Sequence, residues 1–302
     1  MENLNFYAEE CLSVMKSTKN ISEYSSHAYS SDLNDFIKFC EGKINNDVLV
    51  KYVSHLSQDR HLCDTTISRK LITLKMFFEY LYSKNLIEQN YYQNCHFKFR
   101  KERRLPKTLS KTEIAELLKT ATAERNSAKS KSEVLRTLRN LALIDVLIST
   151  GIRIGEASAI SLDDIIGSEK TLLIHGKGRK QRLIYISCDE TWNNLNKWLK
   201  IRKEMNIPTN KLFVNRNGNQ LSIHGIEYIY KRIKENAGIN PSSTPHYLRH
   251  TFATNLLSNG ADLRSVQELL GHSSVAITEI YTEITTQRKK EVLDKYNFRN
   301  DL

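Results

Sequence analysis

A chain of 302 residues is long for a single core and comfortable for two domains. Its 40% hydrophobic and 26% charged residues are ordinary for a globular protein, but a formal charge of +11 is not. That charge points to a polyanionic partner, nucleic acid ahead of membrane, because no basic amphipathic segment stands apart from the folded pattern; a solvated basic surface is the plainer alternative. Five widely spaced cysteines without a CxxC pair argue against a disulfide framework or zinc ribbon and fit a reducing compartment. The N-terminus carries Glu2, Glu9 and Glu10 where a signal peptide needs a basic start, and the richest apolar run, Leu141 to Ile148, contains Asp145. The expectation is a cytoplasmic protein that does not engage a membrane.

Residues 1–97 read as a helical domain. Tyr29, Leu33, Phe36 and Phe39-Cys40 keep a helical beat, and so do Ile67, Leu71, Leu74, Phe77-Phe78 and Leu81, with a shorter amphipathic piece from Val48 to Leu56. Thr65 or Thr66 is the expected cap of the second stripe. Arg69, Lys70 and Lys75 are the candidates for contact with a partner on the polar faces. Residues 98–107 then read as a basic linker. In the stretch 97–107 six of eleven residues are Lys or Arg, and Pro106 breaks any helix. A solvated connection and a strap across a phosphate backbone both fit that composition.

A second domain, 108–302, opens with Ser110-Lys-Thr-Glu113, a capping-box pattern. An apolar helix is expected from Val134 to Ser149, stopped by Gly151. Thr171–His175 and Gln181–Ile186 around Gly176-Lys-Gly-Arg-Lys180 read as a β-hairpin. Helices are expected over 190–204, 223–236, 246–258 and 263–270, and a last one over 288–296 carries Val292 and Leu293. The fold class is therefore mainly α with a small β-sheet.

Four short segments hold chemistry. Arg153 follows the Gly151 turn at a helix start, where a guanidinium adds fork-shaped donors for phosphate oxygens; an ion pair with Glu156 on one helix face is the bland alternative. Lys177 sits in the Gly-rich turn, able to neutralise phosphate or protonate a departing alkoxide, or simply to face solvent. This turn is not a Walker loop, since neither its spacing nor the GK[ST] end is present. His246 and Arg249 are three apart, on one helical face. His250 falls four after His246, as in helical zinc sites, but Tyr247 stands where a metalloprotease needs Glu, so a structural histidine is the better reading. His272 follows Gly271, a helix stop, and Tyr281 is one of 14 tyrosines.

Taken together, Thr150-Gly-Ile-Arg153-Ile-Gly-Glu156, Gly176-Lys177-Gly-Arg-Lys-Gln-Arg182, His246-Tyr-Leu-Arg249-His-Thr-Phe-Ala-Thr254, Leu270-Gly-His272 and Tyr281-Thr282 resemble the tyrosine recombinase (phage integrase) family, close to its Xer-type and transposon-resolvase members. The resemblance covers residues 110–285 by motif, in order, and more weakly the helical part, which resembles that family's core-binding (SAM-like) domain. It implies a catalytic domain in which Tyr281 attacks a DNA phosphodiester and forms a 3′-phosphotyrosine. Arg153 and Arg249 would hold the non-bridging oxygens, Lys177 would act as general acid, His246 as acid or base, and His272 as a hydrogen-bond donor, with Glu156 in support. It implies double-stranded DNA as partner, a homotetramer on two sites or a mixed assembly with a second recombinase, no cofactor, no metal and no ATP. The last helix would dock on a neighbouring subunit rather than pack on its own domain. Glu283, where many members have histidine, and the small Gly155 depart from the family pattern. A type IB topoisomerase-like activity and a DNA-binding protein that no longer cuts are the rival readings.

Overall fold

The computed structural model describes residues 4–19, 21, 23–95, 97, 107–176, 181–271 and 286–302. The chain divides into two compact units, 1–104 and 105–302.

The first unit holds α1 (Leu4–Lys19), α2 (Glu23–Cys40), α3 (Asn46–Ser54) and α4 (Asp64–Ser83). Asn45 caps α3, its side chain accepting from the Val48 N–H at 2.9 Å, and α3 runs on into a π-helical turn, His55–Asp59. Leu33 and Phe36 of α2 and Ile67, Leu71, Leu74, Phe77, Phe78 and Leu81 of α4 are all buried, as their spacing predicts. The Phe36 ring lies edge-on to Tyr52 and Phe78, with centroids 5.2 and 5.8 Å away. Helix α4 begins earlier than expected, with Cys63 in the N-cap position, and the Thr65 and Thr66 hydroxyls lie 3.2 Å from its Sγ.

Lys70 is not the free cation its sequence position suggests. It is buried and donates to Asp32 at 3.2 Å and to Asp35 at 2.8 Å. Asp32, itself buried, also accepts from both Nη atoms of Arg69 and from Thr73 Oγ1. Asp35 takes Arg60 and the Tyr52 hydroxyl. Desolvation raises the Asp35 carboxyl, but Lys70, the Tyr52 hydroxyl and Arg60 together outweigh it and leave it below the usual range. This network pins α2 to α4 through partners some 40 residues apart, which periodicity cannot reveal.

The second unit is built on α6 (Lys131–Thr150), buried all round from Leu141 to Thr150. Against it pack α5 (Lys111–Ser127), α8 (Asp189–Glu204) and α10 (Pro245–Ser258). Ser110 and Glu113 form the capping box of α5, and Ser130 and Glu133 form the same device on α6, which starts three residues before the expected Val134. Asp145 interrupts the apolar run of α6 without harm because Thr191, Asn194 and Arg299 all donate to it. Next come α7 (Ile154–Ala159) and a three-stranded antiparallel sheet ordered β1 (Ile165–Ile166), β2 (Thr171–His175), β3 (Gln181–Tyr185). The hairpin register pairs His175 with Gln181 and Ile174 with Arg182. The two-residue β1 was not anticipated; it is too short to show an alternating pattern. Helices α9 (Ile223–Ala237), α11 (Leu263–Leu270) and α12 (Thr286–Tyr296) complete the unit.

Val292 and Leu293 are buried in this unit's own core, where α12 packs on β3, α10 and α11. In the single chain the last helix therefore packs on its own domain, the alternative to docking on a neighbouring subunit. The tail beyond α12 is held by polar contacts as well: Asn297 Nδ2 donates to the Ser149 carbonyl at 2.9 Å, and the buried Arg299 pairs with Asp145.

Candidate DNA-cleavage site

The candidate site grows from two helix ends. Gly151 closes α6 in the left-handed region, φ 60°, its N–H reaching the Leu147 carbonyl at 3.1 Å. A Cβ at this position would stand 2.5 Å from Cδ1 of Phe252 in α10, so the residue is fixed both by its backbone and by close approach. Gly271 closes α11 in the same way, φ 63°. Arg249, buried on α10, links these two stops: Nη1 donates to the Gly151 carbonyl at 2.8 Å and Nη2 to the Leu270 carbonyl at 2.7 Å. Of the five N–H donors of a guanidinium, two are used this way.

Arg153 occupies the N-cap position of α7. Its own N–H donates to Glu156 Oε2 at 2.8 Å and its Nη1 to Oε1 at 3.0 Å, so the bland ion pair on one helix face is real. It is not the whole arrangement. Its side chain is 40% exposed, whereas that of Glu156 is 8% exposed. The second partner of Glu156 is Arg182 of β3, which donates Nη1 to Oε1 at 3.0 Å and Nη2 to Oε2 at 2.8 Å, and Nε to the Leu269 carbonyl at 2.8 Å. Burial pushes the Glu156 carboxyl up, but hydrogen bonds from Arg182 and from the Arg153 N–H outweigh it and hold the carboxyl below its usual range. Arg249 is pushed down to about 10, first by burial and then by the charge of Arg153, with Glu156 opposing, and so stays charged at neutral pH.

Three guanidinium groups near one buried carboxylate leave an excess of positive charge there, with Arg153 open to solvent. Such a site stabilises a polyanionic group, and two arginine forks suit the oxygens of one phosphate. Arg153 and Arg249 are thus brought together. His246 is exposed in the first turn of α10, with Pro245 ahead of it at the first helical position. His250 is lowered below the usual histidine range by burial and by the neighbouring charges of His246 and Arg249. Lys177, in 177–180, and His272 and Tyr281, in 272–285, lie outside the described residues. Among the described residues no group of three or more His, Cys, Asp or Glu side chains is placed to hold a metal ion.

Arg182 escaped the sequence reading. Its signal is the alternation of β3: it shares a face with the fully buried Ile184, and an arginine on the inward face of a strand requires a buried anion.

Comparison with known proteins bears on the whole chain. Residues 107–288 match the phage integrase family, and residues 9–85 match the phage integrase N-terminal SAM-like domain. The chain belongs to the phage integrase family. This family of tyrosine recombinases is a class of DNA strand transferases. Among its members, tyrosine recombinase XerC of Leptospira interrogans serogroup Icterohaemorrhagiae is 35% identical over 302 residues, covering 97% of this chain and 94% of its own. XerC of Bacillus subtilis is 33% identical, covering 95% and 94%. Among solved structures, XerH site-specific recombinase bound to its difH substrate in a pre-cleavage complex is 25% identical with a TM-score of 0.69, covering 88% of this chain and 79% of that one. A lambda integrase dimer on a core site shares the fold, with a TM-score of 0.68 at 16% identity over 93% of this chain and 99% of that one. The fold is that of the tyrosine recombinases: an N-terminal SAM-like domain and a catalytic integrase domain, mainly helical with one small sheet. Among the described residues no helix is long and apolar enough to cross a membrane.

Proposed function

We propose that this chain is a site-specific recombinase that cuts and rejoins DNA through a 3′-phosphotyrosine, exchanging strands between two short inverted-repeat sites. The observation that carries the reading is the closeness of Arg153, bonded to Glu156, and Arg249, which feels the charge of both, with further guanidinium donors left on the two arginines among the described residues. Tyr281 Oη attacks the phosphorus, and the bond to the 5′ oxygen breaks as Lys177 delivers a proton to that oxygen. A free phenol has a pKa of about 10, so the attack needs a base or a strongly cationic phosphate site. His246 supplies acid–base assistance at the tyrosine, and His272 donates a hydrogen bond to the phosphate. Arg153 and Arg249 stabilise the extra negative charge of the pentacoordinate transition state. These cations supply the charge that metal ions supply in many phosphoryl transfers, which supports a reaction independent of metal. The 5′-hydroxyl of a second duplex then attacks the phosphotyrosine and releases Tyr281. The phosphoester energy is kept throughout, so neither ATP nor water is consumed.

Residues 1–97 act as the core-binding domain, 98–107 as a strap along the DNA backbone and 108–302 as the catalytic domain. The working form is a tetramer on two duplexes, of this chain alone or with a second related recombinase, acting in the cytoplasm. The XerH structure bound to difH substrate supports the DNA partner. The test uses nicked suicide duplexes cut from DNA flanking the gene. Wild type should yield a protein–DNA adduct on a denaturing gel, mapped to the peptide holding Tyr281, and Tyr281→Phe should yield none. An adduct that survives the substitution would remove Tyr281 from the mechanism. Tight, specific binding without any adduct would favour a protein that binds but does not cut.

A further inference from the structure

Three segments of the proposed site meet at one side chain that the chemistry above does not use. We propose that Arg182 is a positioning residue of the cleavage site, setting Glu156 and through it Arg153, while tying strand β3 to the last turn of α11. The inference rests on the reading of the chain as a DNA-cleaving recombinase.

All three nitrogens of the Arg182 guanidinium are engaged. Nη1 and Nη2 fork onto the two oxygens of Glu156 at 3.0 and 2.8 Å, and Nε donates to the Leu269 carbonyl at 2.8 Å. The side chain is 9% exposed, so this is no solvated charge. Each Glu156 oxygen is shared: Oε1 takes Nη1 of both arginines, and Oε2 takes Arg182 Nη2 and the Arg153 N–H. The direction in which Arg153 projects is therefore set by a carboxylate that Arg182 holds from the other side. A bidentate fork fixes a carboxylate in plane, which an ammonium cannot do.

The two other attachments reach the remaining segments. Arg182 is the second residue of β3, five positions after Lys177 in the chain, and pairs across the hairpin with Ile174. Leu269 lies two residues before Gly271, where a Cβ would come within 2.9 Å of Arg182 Nη1, and His272 follows. Displacing the guanidinium thus disturbs the roots of the segments carrying Lys177, Arg153 and His272 together. Such misplacement is costly, since errors of about 1 Å in a reacting array lower rates about a hundredfold.

Glu156 provides a readout that simple unfolding would not. Among the described residues, the charged groups facing it are Arg153, Arg182 and Arg249. Without the Arg182 fork, burial is opposed less and its carboxyl climbs toward the usual range. The acid limb of the cleavage rate then moves to higher pH.

The experiment compares wild type, Arg182→Lys and Arg182→Gln on one nicked suicide duplex, measuring melting temperature, duplex affinity, and single-turnover adduct formation at saturating DNA across pH. Arg182→Lys keeps a cation for Glu156 and carries the test if Arg182→Gln fails to fold. The expected result is a folded lysine variant with duplex Kd within about twofold of wild type, an adduct rate about 10- to 100-fold lower, and an acid limb displaced upward. A rate per bound protein equal to wild type, with only the melting temperature lowered, would make Arg182 structural and overturn the inference alone. Absence of adduct with wild type would instead overturn the recombinase reading, and the inference with it.

Discussion

At the scale of single residues, the site depends on one glycine whose two constraints are separable. Gly151 has φ 60° and a Cβ-position 2.5 Å from Phe252; Gly238, the stop of α9, has φ 63° and open space around it. Alanine at Gly238 meets only the left-handed penalty, about 1–2 kcal/mol. Alanine at Gly151 adds overpacking of about 1–3 kcal/mol and also moves the carbonyl that receives Arg249. Urea denaturation should therefore place Gly151→Ala below Gly238→Ala by about 1–3 kcal/mol; equal losses would mean that Phe252 yields freely. Glu156 makes a pH prediction of known sign. Its folded carboxyl lies below the ordinary value of 4.5, so its contribution is fully present above pH 4.5 and is lost as pH falls through the lower folded value. Glu156→Gln leaves Arg182 buried without its anion and should lower stability at pH 7 by about 3 kcal/mol. That deficit should shrink as wild type is taken below pH 4.5, and a gap constant from pH 7 to 3 would contradict the assignment.

At the scale of elements, the first unit is held by charges as much as by its aromatic stripes. Asp32→Ala would leave Lys70, 9% exposed in its side chain, with Asp35 alone, and the helix pair α2–α4 should lose about 3–5 kcal/mol in chemical denaturation. Lys75, half exposed and 3.9 Å from Glu79, should change stability by no more than about 0.5 kcal/mol when replaced by alanine. A small effect at Asp32 would show that the network is solvated in solution. This contrast also marks what could be read from the chain beforehand. Stripes such as Leu71, Leu74 and Phe78, the Ser110–Glu113 box and the Gly151 stop are local patterns, with cause and partner within a few residues. So were the motif arginines, whose spacing shared a helix face or followed a turn. Lys70 and Arg182 were not legible, because the anions that claim them lie 35 or more and 26 residues away and only the tertiary fold brings them in. The burial of Val292 and Leu293 in their own unit has the same origin: the spacing predicts an apolar face but does not say which chain covers it.

At the scale of the whole molecule, the +11 charge is not evenly spread. Residues 1–97 carry ten Lys and Arg against twelve Asp and Glu, a net −2; residues 98–107 carry six against one, +5; residues 108–302 carry the remaining 29 against 21, +8. The excess positive charge therefore lies in residues 98–107 and in the catalytic part, and several cations of the N-terminal part are already claimed by Asp32 and Asp35. Counterion release makes log Kobs fall linearly with log salt, with a slope of about −0.9 per phosphate neutralised. A duplex spanning the site should accordingly lose affinity steeply between 50 and 200 mM salt, by about a thousandfold if six phosphates are contacted. Replacing Arg100, Lys101, Arg103 and Arg104 with glutamine removes four of the strap's cations while sparing the arginine cluster at Glu156. If the strap lies on the backbone, fluorescence anisotropy titrations should show the slope reduced by about 3–4, with adduct formation at saturating DNA retained. An unchanged slope would make residues 98–107 a solvated connection, and the phosphate contacts would then have to come from the catalytic unit alone.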